Sequence, residues 1–164
     1  PAISSPPSLE LQPYQSPDGD FSIRAPKGWL LSGVLQPGAL ATFSNVQADQ
    51  EGANFFTATV QVASGPARGL GLDAYVANQN SALSKSLSNY ALVTSEKLFA
   101  GSLPAYLTEI TYTKSPPLAS NLKMIQLVLI KNDKAYIVTG TVLKSAWEVH
   151  KDVLRLSLLA FLAN

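Results

Sequence analysis

The sequence predicts an antiparallel α+β fold, and three observations carry that prediction. Apolar residues alternate at period two through much of the chain, a few segments switch to helical period, and successive strand segments are joined by turn chemistry rather than by helical crossovers. With 164 residues, 46% of them hydrophobic, the chain can bury a core without help from disulfides or a metal.

The elements follow in order. PAISSPPSLELQP holds four prolines in thirteen residues and reads as an extended Pro/Ser-rich linker, 1-13, with a single domain expected over 14-164. FSIRAP alternates, with Phe21, Ile23 and Ala25 on one side and Ser22 and Arg24 on the other; it reads as a half-buried strand that stops at Pro26 and Gly28 and lies toward a sheet edge. ALATFSN is a second strand candidate. NFFTATVQVA reads as one continuous third strand, with Phe56, Ala58, Val60 and Val62 pointing inward.

LDAYVANQNSALSKSL changes to helical period, placing Leu72, Val76, Leu83 and Leu87 on one stripe and Asp73 near the N-terminus. Strands return from Tyr90 to Thr113, turning through Gly101 and Pro104, and Ser115-Pro116-Pro117 is expected to close that hairpin. LKMIQLVLI and AYIVTGTVLK are apolar on both faces and read as central strands; the Asn132-Asp133 pair between them is tight-turn chemistry. SAWEVHKDVLRLSLLAFLAN contains no Gly or Pro and reads as a terminal helix capped by Ser145. Both helices must pack on the sheet to hide their apolar stripes.

Composition then excludes several functions. Twelve basic and eleven acidic residues leave a net charge of +1 with no Lys or Arg run, so no nucleic-acid partner is expected. Absence of cysteine removes thiolate chemistry, disulfides and Cys-ligated zinc or iron-sulfur sites. Charged residues are only 14% of the chain, well under the usual quarter, which is commoner in exported proteins. No segment has the apolar length of a membrane-spanning helix. The linker and the missing initiator Met predict a chain trimmed of a signal or lipoprotein segment.

The candidate sites read as structure. His150, the single histidine, shares a helical arc with Ala146, Trp147, Val153, Leu154, Ser157 and Phe161, while Glu148, Lys151, Asp152 and Arg155 lie opposite. It is expected to be an interior histidine whose ring nitrogens find a backbone or hydroxyl partner, since no carboxylate lies on its face and a lone imidazole is a poor metal ligand. Ser157 on the same face is about 10 Å along the helix, too far for a catalytic dyad. No nucleophile elbow, phosphate loop or dinucleotide fingerprint occurs, so no catalytic, cofactor or metal residues are assigned and no enzyme is expected. Asp18 and Asp20 flank Gly19 in a solvated turn that lacks the further ligands of a calcium loop. Trp29 is expected to plug a sheet edge. The polar segments 44 to 54 and 113 to 121 are left as exposed places where a partner could bind.

Tyr14, Ser16, Gly19, Phe21, Ile23, Pro26, Gly28 and Trp29 together resemble the entry segment of the PsbP-like family, named for extrinsic proteins of the photosystem II oxygen-evolving complex. The resemblance continues in Gly101-Ser102-Leu103-Pro104-Ala105-Tyr106, in Lys134-Ala135-Tyr136-Ile137-Val138-Thr139 and in a terminal helix opening near Trp147, covering residues 14 to 161. It implies an antiparallel sheet flanked by helices in an α-β-α sandwich, a fold shared with small bacterial envelope lipoproteins, and a non-enzymatic role. The histidine-bearing loops tied to metal binding in the photosystem protein are missing, which points to a prokaryotic relative.

The combined expectation is a non-catalytic accessory or adaptor domain outside the cytoplasm that binds another protein at a membrane surface, in a photosystem or a general envelope role. It would sit in the periplasm, on the cell surface or in the thylakoid lumen, as a lipoprotein held by an N-terminal anchor. The alternative is a small-molecule or lipid carrier with a pocket between sheet and helix.

Overall fold

The structure, a computed structural model, describes residues 9 to 114 and 120 to 164; most of the expected linker and the Ser115-Pro116-Pro117 turn lie outside the described residues. Strands β1 (Leu11–Gln15) and β2 (Phe21–Pro26) form the first hairpin. After them come β3 (Leu30–Leu31), β4 (Ala39–Ser44), a short hairpin of β5 (Asp49–Glu51) and β6 (Asn54–Phe56), and β7 (Thr59–Pro66). Helix α1 (Leu72–Ser86) leads to β8 (Ser88–Ala100), β9 (Leu103–Thr113), β10 (Asn121–Lys131) and β11 (Lys134–Leu143). A 3-10 turn at Lys144–Ala146 opens α2 (Trp147–Leu159), and β12 (Leu162–Ala163) comes last.

Seven strands make one antiparallel sheet in the order β3-β4-β7-β11-β10-β9-β8, and β1-β2-β12 make a separate three-stranded sheet. The α+β reading holds, and β10 and β11 lie inside the large sheet as their two-sided apolarity demands. Asn132 and Asp133 join them at φ 52° and 59°. Left-handed values at both centres are what a tight primed hairpin requires, and Asn and Asp tolerate them.

Alternation along the strands gives the large sheet two faces. The inner face presents Val60, Val62, Leu107, Ile125, Leu127 and Val138, all buried. Helix α2 covers it with Leu154 and Leu158, and the small sheet covers it with Phe21, Ile23 and Ala25. Gly140 permits the close approach of α2, since a Cβ there would lie 3.0 Å from Leu154 Cδ2 and 3.1 Å from Ile125 Cγ2. The outer face carries α1 over the β8–β10 side. Val76 is the one buried side chain of α1, and its first turn is pinned by Asp73, which accepts from Tyr106 Oη at 2.8 Å and Lys97 Nζ at 3.0 Å.

Several expectations change. Leu11 to Pro13, read as part of the linker, belong to β1, where Leu11 and Pro13 pair with Pro26 and Arg24; Pro13 is tolerated there because β1 is an edge strand of the small sheet. FSIRAP is the middle strand of that sheet rather than an edge of the large one, its alternating apolar side being spent on α2 and the core. The expected third strand is two: the chain breaks at Thr57-Ala58, where Ala58 O accepts from Asn45 N at 2.9 Å, and Phe56 packs with Leu122, Leu143 and Ala146 instead of joining the main core. The terminal helix ends at Leu159, so that Phe161 turns into the core and β12 pairs with β2. Ser145 does not cap it; Ala146 holds that position, and Ser145 Oγ reaches Glu51 Oε2 at 3.4 Å.

Candidate functional site

The segment after β4 passes through Asn45 and Val46 into the β5–β6 hairpin, which folds against the start of α2. Two polar contacts fix it there: His150 Nε2 to Asp49 Oδ2 at 2.8 Å, and Ser145 to Glu51. From the other side, Pro26-Lys27-Gly28 turns out of the small sheet with Gly28 at φ 85°, a left-handed value that favours glycine. That turn lays Trp29 edge-on against the His150 ring, 6.2 Å between centroids and 81° between planes.

Between these elements lies a cleft of about 280 Å³, lined by Trp29, Asn45, Val46, Val149, His150 and Val153 among others. Trp29 and His150 are buried in its wall, whereas Val149 is 52% and Val46 65% exposed. On edge strand β3 the exposed Leu31 pairs with Phe43 and shares the cleft's side of the sheet, whereas the exposed Leu30 pairs with Ser44 and points to the other face.

His150 is interior, as the helical arc predicts, but its partner is neither backbone nor hydroxyl: a carboxylate arrives from a residue 101 positions earlier. A carboxylate–imidazole pair can hold the ring in one tautomer, but nucleophilic catalysis also needs a hydroxyl at hydrogen-bond distance from the other nitrogen. Ser157 instead donates to Arg24 O at 2.6 Å, and Ser145 to Glu51. The His150–Asp49 pair thus latches the hairpin to α2.

The other singled-out residues take structural places. Asp18 Oδ1 accepts from Asp20 N at 3.1 Å, and the Ser16 hydroxyl and that amide hold its carboxyl below the usual range. Asp20 accepts from Lys134 Nζ at 3.2 Å, tying the turn to β11. On α2 the Glu148 carboxyl is held low by Lys151, 2.6 Å away on the solvated face. No group of three or more metal-ligating side chains occurs among the described residues, and no helix among them is long and apolar enough to cross a membrane.

Sequence reasoning missed one charged cluster. Lys123 Nζ sits 4.2 Å from the Trp147 ring centroid and 3.0 Å from Glu109 Oε1, with only 12% of the Lys123 and 20% of the Glu109 side chain exposed. A lysine within the apolar β10 run was the available signal, and nothing local paired it with Glu109.

No protein-family model and no curated protein matches this sequence. Solved structures match over nearly its whole length. Cyanobacterial PsbP (CyanoP) from Synechocystis sp. PCC 6803 has a TM-score of 0.65 at 13% identity, covering 100% of this chain and 98% of that one. LpqN of Mycobacterium tuberculosis, involved in cell envelope biogenesis, has a TM-score of 0.66 at 11% identity, covering 93% of this chain and 89% of that one. PA94 of Pseudomonas aeruginosa, a protein of unknown function, has a TM-score of 0.66 at 14% identity, covering 94% and 98%. The chain is thus a PsbP-like α+β fold, and at these identities the likeness is one of fold.

Proposed function

We propose that this protein is a non-catalytic accessory or adaptor domain outside the cytoplasm, and that it binds another protein at a membrane surface through the Trp29–His150 cleft and its rim. The observation that carries this reading is the pair of exposed aliphatic side chains, Val46 and Val149, on the rim of a cleft walled by a buried tryptophan. Contiguous apolar surface next to a pocket is how a protein-binding site differs from scattered exposed residues, and an apolar anchor from the partner fits such a pocket. The envelope role of LpqN and the PsbP-like fold support placement outside the cytoplasm; a lipid anchor upstream of residue 1, and a photosystem partner, are the narrower forms of the proposal. The carrier alternative is less favoured at this cleft, because its aliphatic rim, Val46 and Val149, is exposed rather than enclosed around a ligand.

The test uses membranes of the source organism and purified protein. Val46→Glu and Val149→Glu should each abolish co-sedimentation with those membranes, because a carboxylate replaces an apolar contact without touching the core. Ala77→Glu on exposed α1 should leave it intact. Undiminished sedimentation of both valine variants would overturn the assignment of this surface.

A further inference from the structure

The outer face of the large sheet holds a second concavity, on the other side of the sheet from the cleft. Helix α1 covers the β8–β10 side of that face, and a groove of about 710 Å³ lies over β4, β7 and β11. Its floor is Thr42, Thr59, Gln61 and Thr141, which alternation and register put side by side: Thr42 opposite Gln61, and Thr59 opposite Thr141. All four are half-buried, and among the described residues none of their side chains makes a hydrogen bond. Their neighbours on the same face behave differently: Gln126 Nε2 donates to Thr139 Oγ1 at 3.1 Å. The floor therefore holds three hydroxyls and one amide, each able both to donate and to accept, with their capacity unspent.

The walls add two aromatic rings and one cation. Phe56 and Tyr112 both pack against the Leu122–Leu143–Ala146 cluster and line the groove. Lys114 Nζ lies 5.7 Å from the Phe56 ring centroid. Burial raises the Tyr112 phenol above its ordinary value, so its hydroxyl stays a donor at any physiological pH.

We propose that this groove binds a short glycan chain. Sugar hydroxyls donate and accept at once, which suits a floor of hydroxyls and an amide, while the apolar C–H faces of a pyranose ring stack on aromatic side chains. A floor without a carboxylate or a cation does not select a charged polymer, and Lys114 at the wall accommodates a glycan that carries a carboxylate. A peptide strand would add to a sheet edge, and this groove lies on a sheet face.

Isotope-labelled full chain is titrated to millimolar concentration with three probes: chitohexaose and maltohexaose, which are neutral, and an oligogalacturonate, which is anionic. At least one should shift the amide signals of Thr42, Thr59, Gln61 and Thr141 together. The double substitution Gln61→Ala with Thr141→Val should weaken that binding about tenfold, the worth of one or two neutral hydrogen bonds. Thr42→Val, nearly isosteric, serves as a second variant should the double one fold poorly, and should weaken binding severalfold. No response to any of the three probes would overturn the proposal, as would shifts confined to the Trp29 cleft. Oligogalacturonate binding that vanishes in Lys114→Gln and is untouched by the floor variants would also overturn it, because a lone surface cation would then be the whole site.

Discussion

The two faces of the seven-stranded sheet come from the same strands and carry one helix each, yet they are built for different purposes. On the inner face α2 is a core element, with His150, Val153, Leu154, Ser157 and Leu158 all buried. On the outer face α1 rests on Val76 and a few polar tethers. Stability scales with apolar area removed from water, so the inner layer holds the fold. The outer face can leave polar side chains open to solvent because little of the fold's apolar core rests on it.

Mutations should expose that asymmetry. Phe161 stacks at 5.6 Å on Phe21 and lies 5.4 Å from Tyr136, bridging the small sheet and β11. Phe161→Ala should cost about 3–5 kcal/mol in urea denaturation, the range for emptying a core aromatic site. A loss near zero would mean that the small sheet does not share the core. Lys123→Ala leaves Glu109 without its partner and strips Trp147 of its cation. The pair lies between surface and buried cases, so about 2–3 kcal/mol is expected. Val76→Ala, at the one buried side chain of α1, should cost about 1–2 kcal/mol. Hydrogen exchange gives the same comparison without mutation: amides of α1 should open well before those of α2 and β11, and equal protection of the two helices would erase the distinction.

The smallest effect concerns pH. The Tyr106 hydroxyl, and after it the Lys97 ammonium, hold the Asp73 carboxyl below the ordinary 3.8. The folded state then binds that proton less readily than the unfolded chain, so the contact stabilises above the ordinary value and fades as pH falls through the lower folded one. Asp73 is exposed, so the contribution is small. Asp73→Asn should be slightly less stable than the parent near neutrality, and the two stability curves should converge on acidification. A gap that persists unchanged to the acid end would refute the electrostatic tether.

Much of this was readable locally. The period of 72 to 87 marked α1 within a residue, the Asn132-Asp133 pair marked its hairpin, and the helical arc of α2 put His150 inside. What escaped was long-range. Asp49 reaches His150 from a segment that reads as a polar loop, and β12 reaches β2 across the whole chain. Such partners are set by how elements stack, which periodicity within one segment does not encode. The break at Thr57-Ala58 was hidden for a related reason: alternation continues through it, and only the departure of β5–β6 toward α2 interrupts the pairing. The cleft inherits that opacity, since three separate segments build it.

The claim that this cleft is the protein-binding surface is tested most directly by photo-crosslinking. A photoreactive side chain at Val149 in the full-length protein, exposed to light in native membranes, should give one discrete adduct with a membrane protein, and Val46→Glu should erase it. The same group at Ala77 on α1 should give none. An identical adduct from both positions, or none from Val149, would contradict the account.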